Sequence, residues 1–187
     1  IKLDSSAVKG RALPLFLRFL ERVQAARKTE GRAPRLKSFT FAESSIGPEE
    51  ALKILPLLLP NLEFLSMKGN PLGTGGIRAL AEGIRGGKAD SLLTLDLEKT
   101  NLFKAGWYIL CESIKGMSLR LETLNLSHNA ISPHDTLSTR VWPHGQEEMS
   151  SLCSILCQDS LPRLRVLLLR ECCLWSGLIK PLAESMG

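Results

Sequence analysis

The sequence has no hydrophobic run long enough to cross a membrane. Its longest, residues 54–59, contains Pro56 and falls far short of the roughly 20 apolar residues that a bilayer-spanning helix needs. The chain also lacks a basic-then-apolar leader with a cleavage site, and it begins with Ile1 rather than Met. We therefore expect a segment without a membrane span, cut from a longer protein.

Groups that catalysis would need are scarce. The chain has three histidines, and none of them lies near a candidate Ser or Cys nucleophile with an acid to orient it. The glycine-rich stretch GNPLGTGG at residues 69–76 has no lysine after it, so it does not match a phosphate-binding loop. The sequence predicts neither an enzyme nor a bound cofactor.

Cysteine is too sparse for a disulfide scaffold. Five cysteines make an odd count in a chain too large to need stapling, which favours reduced thiols and a cytoplasmic location. His134, His144, Cys153 and Cys157 fall in one segment, but their spacing matches no established zinc site. Cysteines in helices are usually small buried apolar groups, so we predict no metal site.

Aromatic residues are few and none interleaves with the basic cluster. The excess of positive charge comes from residues 1–37, where ten Lys and Arg accompany three acids. A protein that binds single-stranded nucleic acid would place aromatic rings among these charges. We interpret the cluster as a solvated loop and do not expect a nucleic-acid partner. Its members are Arg22, Arg27, Lys28, Arg32 and Arg35.

What the chain does contain is one pattern, repeated. Apolar residues stand at positions 0, 3, 5 and 10 of each unit, a small polar residue or cysteine at position 8, and apolar or small residues near positions 14, 18 and 22. Periods of about 20 to 50 residues are typical of solenoids. An incomplete unit fits the amino terminus, and the five others begin at Leu36, Leu62, Leu92, Leu121 and Leu164.

Each unit is predicted to form a strand, a bend, a helix and a loop. Positions 3 and 5 share one face of a strand, and positions 14, 18 and 22 form one stripe of a helix. A single unit cannot bury this stripe, so neighbours should stack into a parallel sheet packed against a helix layer. We predict one α/β domain over residues 1–187, with about six strand–helix units and longer connections at about 22–35 and 134–150.

Position 8 is where the chain should leave the sheet. The backbone N–H and C=O groups of this bend would be buried without a ladder partner, at a cost of about 1 to 3 kcal/mol each. A short polar side chain can bond them, and asparagine does so best. We predict this structural role for Asn70 and Asn129, with Ser44, Thr100 and Cys172 as weaker substitutes.

The run LEFLSMKGNPL at residues 62–72, followed by Gly76, Leu80 and Ile84, resembles a leucine-rich repeat of the ribonuclease-inhibitor-like class. The resemblance covers nearly the whole chain. It implies a horseshoe-shaped solenoid segment with a parallel sheet on the concave side and helices on the convex side. The family includes ribonuclease inhibitors, immune sensor domains, actin-regulatory scaffolds and a GTPase-activating protein, and a shared fold does not transfer function.

The concave side is the predicted surface for a partner. Near its carboxyl end the apolar pair Val166 and Leu168 lies beside Arg170, a composition typical of interface anchors, although a further repeat or the long connection could cover the pair. Trp142, in the second long connection, could anchor a partner or fold back on the solenoid. The residues predicted to bind a partner are Thr40, Phe64, Ser66, Lys68, Thr94, Asp96, Glu98, Asn125, Ser127, Val166, Leu168, Arg170 and Trp142.

The sequence favours a non-enzymatic protein-binding module or scaffold that uses its concave face and the 134–150 connection. The alternative is a regulator of a GTPase, of the activating-protein type, which would hold a partner's catalytic machinery without supplying chemistry. A third hypothesis is RNA association through the basic amino-terminal loop. No motif identifies the partner.

Overall fold

A computed structural model describes residues 12–30, 36–130, 146–157 and 160–172, together with the single residues 180 and 183. Helices and short strands alternate along these ranges. In chain order the elements are α1 (Ala12–Glu30), β1 (Ser38–Thr40), α2 (Pro48–Leu58), β2 (Phe64–Ser66), α3 (Gly73–Arg85), β3 (Thr94–Asp96), α4 (Phe103–Ile114), β4 (Thr123–Asn125), α5 (Gln146–Cys157) and β5 (Val166–Leu168).

The strands form one parallel sheet in chain order. Their register places equivalent repeat positions side by side, since Leu65 of β2 pairs with Leu95 of β3 and Leu95 pairs with Leu124 of β4. Phe39 and Leu167 continue this row in β1 and β5. The predicted α/β architecture is confirmed for five strands. Residues 1–11, where the sequence predicts a sixth unit, lie outside the described ranges.

The core lies between the sheet and the helices. Leu95 and Leu97, at positions 3 and 5 of their unit, are fully buried, and Leu110 on α4 is 1% exposed. Burying one such side chain contributes about 1.5–3 kcal/mol. Trp107 of α4 is also fully buried, while its neighbour Tyr108 is 53% exposed. Of this aromatic pair, Trp107 therefore belongs to the core and Tyr108 to the surface.

The helix ends follow local sequence signals. α2 begins at Pro48, where a proline fits the first helical turn because that turn leaves its N–H groups unpaired. The Glu50 side chain accepts a hydrogen bond of 3.0 Å from the Gly47 N–H and so caps the helix. α3 and α4 end just before Gly87 and Gly116, which adopt φ values of 67° and 73°. These left-handed conformations favour glycine after a helix.

The predicted role of asparagine at position 8 is confirmed. Asn129 Oδ1 accepts hydrogen bonds from the N–H groups of Thr100 (3.0 Å) and Leu102 (3.2 Å). Its Nδ2 donates to the carbonyls of Leu97 (2.7 Å) and Leu126 (3.0 Å). Because three of these partners belong to the preceding unit, the amide both satisfies the bend and joins two units.

Asn70 repeats this arrangement two units earlier. Its Oδ1 accepts from the Ile46 N–H at 2.9 Å, and its Nδ2 donates to the carbonyls of Phe41 (2.6 Å) and Met67 (2.7 Å). Thr100 bonds the Leu97 carbonyl of its own unit. The shorter side chain is therefore the weaker substitute that the sequence predicts.

Both long connections are shorter than predicted, because helix occupies part of each. α1 continues through Glu30, so most of the expected 22–35 connection is helical. Its sequence contains no glycine or proline between residues 22 and 30, and Gln24 Nε2 donates to the Leu57 carbonyl of α2 at 2.6 Å. α5 begins at Gln146, within the expected 134–150 connection. Residues 131–145 lie outside the described ranges.

Candidate functional site

The sheet has one face turned away from the helices, called the open face below. Positions 3 and 5 point into the core, so positions 2 and 4 alternate to the opposite side. The register aligns them in two rows that cross all five strands. The position 2 row is Ser38, Phe64, Thr94, Thr123 and Val166, and the position 4 row is Thr40, Ser66, Asp96, Asn125 and Leu168.

Asp96 is the centre of a polar network on this face. Its Oδ2 accepts a hydrogen bond of 2.7 Å from Ser66 Oγ on one side, and its Oδ1 accepts one of 2.9 Å from Asn125 Nδ2 on the other. Oδ1 also accepts from the Glu98 backbone N–H at 3.1 Å. The carboxylate therefore accepts hydrogen bonds from both neighbouring strands and from the backbone of its own unit. Its oxygens are already occupied by donors of this chain.

A cross-strand ion pair extends the network at position 6. Lys68 Nζ lies 2.9 Å from Glu98 Oε1, and Asn125 Nδ2 donates to Glu98 Oε2 at 3.1 Å. The hydrogen bond from Lys68 lowers the pKa of the Glu98 carboxyl, and the same bond raises the pKa of Lys68. Both groups are therefore charged at neutral pH and pair with each other.

Several predicted site residues are less accessible than expected. We predicted that Ser66, Asn125 and Ser127 would face outward, but they are only 4%, 9% and 3% exposed. The reason is that their side chains bond to adjacent strands; Ser127 Oγ, for example, accepts from the Arg170 backbone N–H at 3.1 Å. These residues position the strands and the acids rather than present free groups.

The carboxyl end of the open face differs from its middle. Val166 is 42% exposed and Leu168 is partly buried. Arg170 and His128 are exposed, and neither forms an ion pair within the described ranges. An apolar pair beside an unpaired guanidinium can bury surface and bind an acidic group of a partner. Among the predicted partner-binding residues, those at β5 have the most surface available.

The other predicted residues lie along the first strands or outside the described ranges. Thr40, Phe64 and Thr94 are partly buried on the open face. Trp142 lies in residues 131–145, which the structure does not describe. The Cys153 side chain is partly buried on α5. The sequence therefore predicted which strand residues lie side by side. The position of Trp142 in the long connection stays a prediction.

One exposed apolar pair was missed. Leu15 and Phe19, on α1, are 67% and 43% exposed. Their four-residue spacing on a helix was the available signal, since such residues share a face. The adjacent stripe of α1 packs in the core instead, where Phe16 and Leu20 are 9% and 1% exposed.

Reactive and metal-binding groups do not converge in the described part of the chain. Burial raises the pKa of the Cys111 thiol to about 12, so this cysteine stays protonated and unreactive at neutral pH. Within the same ranges, no group of three His, Cys, Asp or Glu side chains could hold a metal ion. None of the described helices is long and apolar enough to span a membrane.

Strand–helix units repeat along the described chain, and a buried asparagine amide bonds the bend in two of them, an arrangement similar to that of leucine-rich repeats. The Leucine Rich Repeat family model matches residues 120–139, a stretch that contains β4 and Asn129. The match supports the leucine-rich-repeat family, whose repeats are generally non-enzymatic modules for protein interaction. No curated protein matches the chain.

Proposed function

We propose that this chain is a non-enzymatic protein-binding module that takes a partner on the open face, at the concave side of the solenoid that the resemblance implies. The observation that carries the proposal is the contrast along this face. In its middle, Asp96 and Glu98 are occupied by donors of the chain itself. At β5, Val166 and Arg170 keep exposed side chains.

This contrast supports a division of roles. Polar groups that are already bonded are rigid and need not be ordered when a partner arrives, so the middle of the face contributes shape at little entropic cost. Arginine is among the residue types that supply most of the affinity in protein interfaces, and burial of exposed apolar side chains beside it adds to that affinity. Val166, Leu168 and Arg170 would therefore be the energetic centre, with Phe64 and Thr94 as flanking contacts. Trp142 and the 134–150 connection belong to the proposal as a second anchor.

The test compares two charge insertions at exposed apolar residues. Wild-type chain, Val166→Asp and the control Leu52→Asp are each used to capture proteins from a cell extract, followed by mass spectrometry. Val166 is 42% exposed on the sheet and Leu52 is 48% exposed on α2. We expect partners that Leu52→Asp retains and Val166→Asp loses by at least about tenfold, which corresponds to about 1.4 kcal/mol. Equal capture by both variants would contradict open-face binding.

Regulation of a GTPase is the alternative proposal. It shares the protein-binding surface and adds an effect on a partner's catalysis. Any GTPase found by capture would be assayed for GTP hydrolysis with and without the chain. A rate that rises with the chain and falls again for Val166→Asp would favour this function over a passive scaffold.

A further inference from the structure

Phe103 is an exposed aromatic residue in an inner unit of the array. It begins α4, and the helices α3 and α5 pack on either side of α4, so the exposure does not result from an end of the stack. The side chain is 59% exposed, and its ring makes no aromatic contact among the described residues. Tyr108 on the same helix is 53% exposed and serves as a comparison below.

The backbone of Phe103 is left-handed, with a φ of 43°. The residue at the same repeat position, position 11, in the preceding unit is Gly73, which has a φ of 54°. Glycine adopts this conformation without a steric cost, whereas for a bulky side chain it is rare and strained. For folding alone, glycine is therefore the better residue where the chain enters α4. Backbone strain of this kind clusters at sites that bind ligands.

Phe103 lies on the rim of the open face, where positions 7 to 11 of each unit lead from the sheet to the helix. The Leu102 N–H donates to Asn129 Oδ1 of the next unit at 3.2 Å, so Phe103 and His128 are chain neighbours of the donor and the acceptor. Lys99 is joined to the same bend, because its N–H donates to a carbonyl there at 3.0 Å. An aromatic ring and two basic side chains therefore share one short stretch of the rim.

The two basic side chains on this stretch have no acidic partner. Lys99 and His128 are exposed at position 7 of adjacent units, and neither forms an ion pair within the described ranges. Glu98, which precedes Lys99, already pairs with Lys68 at 2.9 Å. The first turn of α4 contains no acidic residue. An acid of a partner that approaches the rim therefore meets bases that no acid of the described chain pairs with.

We propose that Phe103, Lys99 and His128 bind an acidic protein segment that carries a large apolar residue. The apolar residue would pack on the exposed ring, and carboxylates beside it would pair with the two bases. The site rests on the proposed function, since it adds a contact to the same protein-binding module and specifies the charge of the partner. It lies in inner units and does not depend on the end of the sheet at β5.

Single-stranded nucleic acid fits these observations less well. Proteins that bind it line a positively charged groove with several aromatic rings. Phe103 is a single ring, and the open face beside it contains the acids Asp96 and Glu98. A nucleic acid carries a phosphate at every residue, whereas a peptide can place its acids only opposite the two bases. The arrangement therefore favours a peptide segment.

The experiment selects binders from a displayed library of random short peptides on the immobilised 187-residue chain. Peptides that also bind Phe103→Gly are removed. We expect the remaining sequences to be enriched in large apolar residues flanked by acids. Synthetic, fluorescently labelled copies should bind wild type at least about tenfold more tightly than Phe103→Gly, Phe103→Ala or Lys99→Glu/His128→Glu, measured by fluorescence anisotropy.

Two control variants match these changes elsewhere on the surface. Tyr108→Ala removes a similarly exposed aromatic ring from the same helix. Arg85→Glu/Lys88→Glu reverses two exposed charges at the end of α3. Both controls should bind the selected peptides with the affinity of wild type. Circular dichroism verifies that each variant is folded.

A stability measurement separates a binding role of Phe103 from a packing role. Phe103→Gly removes the exposed ring and relieves the left-handed backbone, so its urea midpoint should equal or exceed that of wild type. Phe103→Ala keeps a Cβ in that conformation and should not gain stability. A lower midpoint for Phe103→Gly would show that the ring contributes to packing, which would overturn the proposal.

Three binding results would also overturn it. One is that no selected peptide distinguishes wild type from Phe103→Gly, and another is that the peptides that do so lack acidic residues. The third is that a labelled single-stranded RNA of mixed sequence binds in a Phe103-dependent manner and displaces the peptides, which would assign the rim to nucleic acid. The open-face test uses Val166→Asp and this test uses Phe103→Gly, so the failure of one proposal is distinguishable from the failure of the other.

Discussion

At the scale of single residues, the side chain at position 8 of each bend determines how firmly two units are joined. Asn70 and Asn129 reach across to the preceding unit, whereas Thr100 Oγ1 donates to the Leu97 carbonyl of its own unit. Cys172 Sγ contacts the Leu126 carbonyl at 3.3 Å, a longer and weaker bond across units. The cross-unit bonds therefore alternate in strength along the array.

This difference predicts a large effect of Asn129→Ala. The substitution would leave the buried N–H of Leu102 without its acceptor and the Leu97 carbonyl without one of its donors. We expect a loss of about 2–4 kcal/mol in the free energy of unfolding, measured by urea denaturation followed by circular dichroism. Arg120→Ala, at an exposed residue just before the same unit, should change it by less than about 0.5 kcal/mol. A loss of under about 1 kcal/mol for Asn129→Ala would show that water replaces the amide.

At the scale of helices and strands, equivalent repeat positions differ in the space they leave. Gly76 and Gly106 both occupy position 14, near the start of α3 and α4. A Cβ at residue 76 would lie 2.9 Å from the Leu72 Cβ, which is fixed by the backbone. A Cβ at residue 106 would meet nothing closer than the Leu102 Cγ at 3.4 Å. The same substitution should therefore have opposite effects in the two helices.

We predict that Gly76→Ala lowers the free energy of unfolding by about 1–2 kcal/mol, because overpacking displaces the helix start. Gly106→Ala should leave it unchanged or raise it by up to about 1 kcal/mol, because alanine has the higher helix propensity. Each variant is the control for the other, and urea denaturation measures both. If both substitutions destabilise equally, the spacing between helices, rather than the local contact, is limiting.

The bends show a second regularity at the scale of elements. The residue at position 7 has a positive φ in all five described units, yet only Gly69 is a glycine. The others are Glu43, Lys99, His128 and Glu171, with φ between 51° and 60°. This conformation costs a non-glycine residue roughly 1–2 kcal/mol. The ladder bond from each position 7 N–H in the first four units offsets part of that cost.

At the scale of the whole molecule, stability should fall toward the β5 end. A stack of units is stabilised by nearest neighbours, so within the 187-residue chain the β5 unit, with one described neighbour, should open more readily than an inner unit. We expect the Leu97 and Leu126 amides to exchange with deuterium at least about a hundredfold more slowly than the Leu169 amide, by NMR at residue resolution. Equal protection of Leu169 would mean that its N–H has an acceptor outside the described ranges.

The repeated unit could be predicted well because its signals are local. Leu65 and Leu95 follow a spacing that only a strand followed by a helix satisfies, and Asn70 marks the bend within the same dozen residues. The extent of α1 was not predicted, although its second half lacks helix breakers, because the Gln24 contact that packs it on α2 joins residues distant in sequence. Trp142 stays a prediction, because the structure does not describe its segment.

The sequence by itself determined the strand–bend–helix unit, the buried amides and the stacking of units, since apolar periodicity and bend chemistry are properties of neighbouring residues. Only the tertiary structure decided which surface groups are free. Successive members of the set Ser66, Asp96 and Asn125 lie about 30 residues apart in the sequence. They meet only because the sheet register aligns them. That alignment gives the acids of the middle strands hydrogen-bond donors. It leaves the arginine side chains and the outward N–H groups of the β5 unit without partners in the described chain, because each strand's bonds depend on the strand beside it.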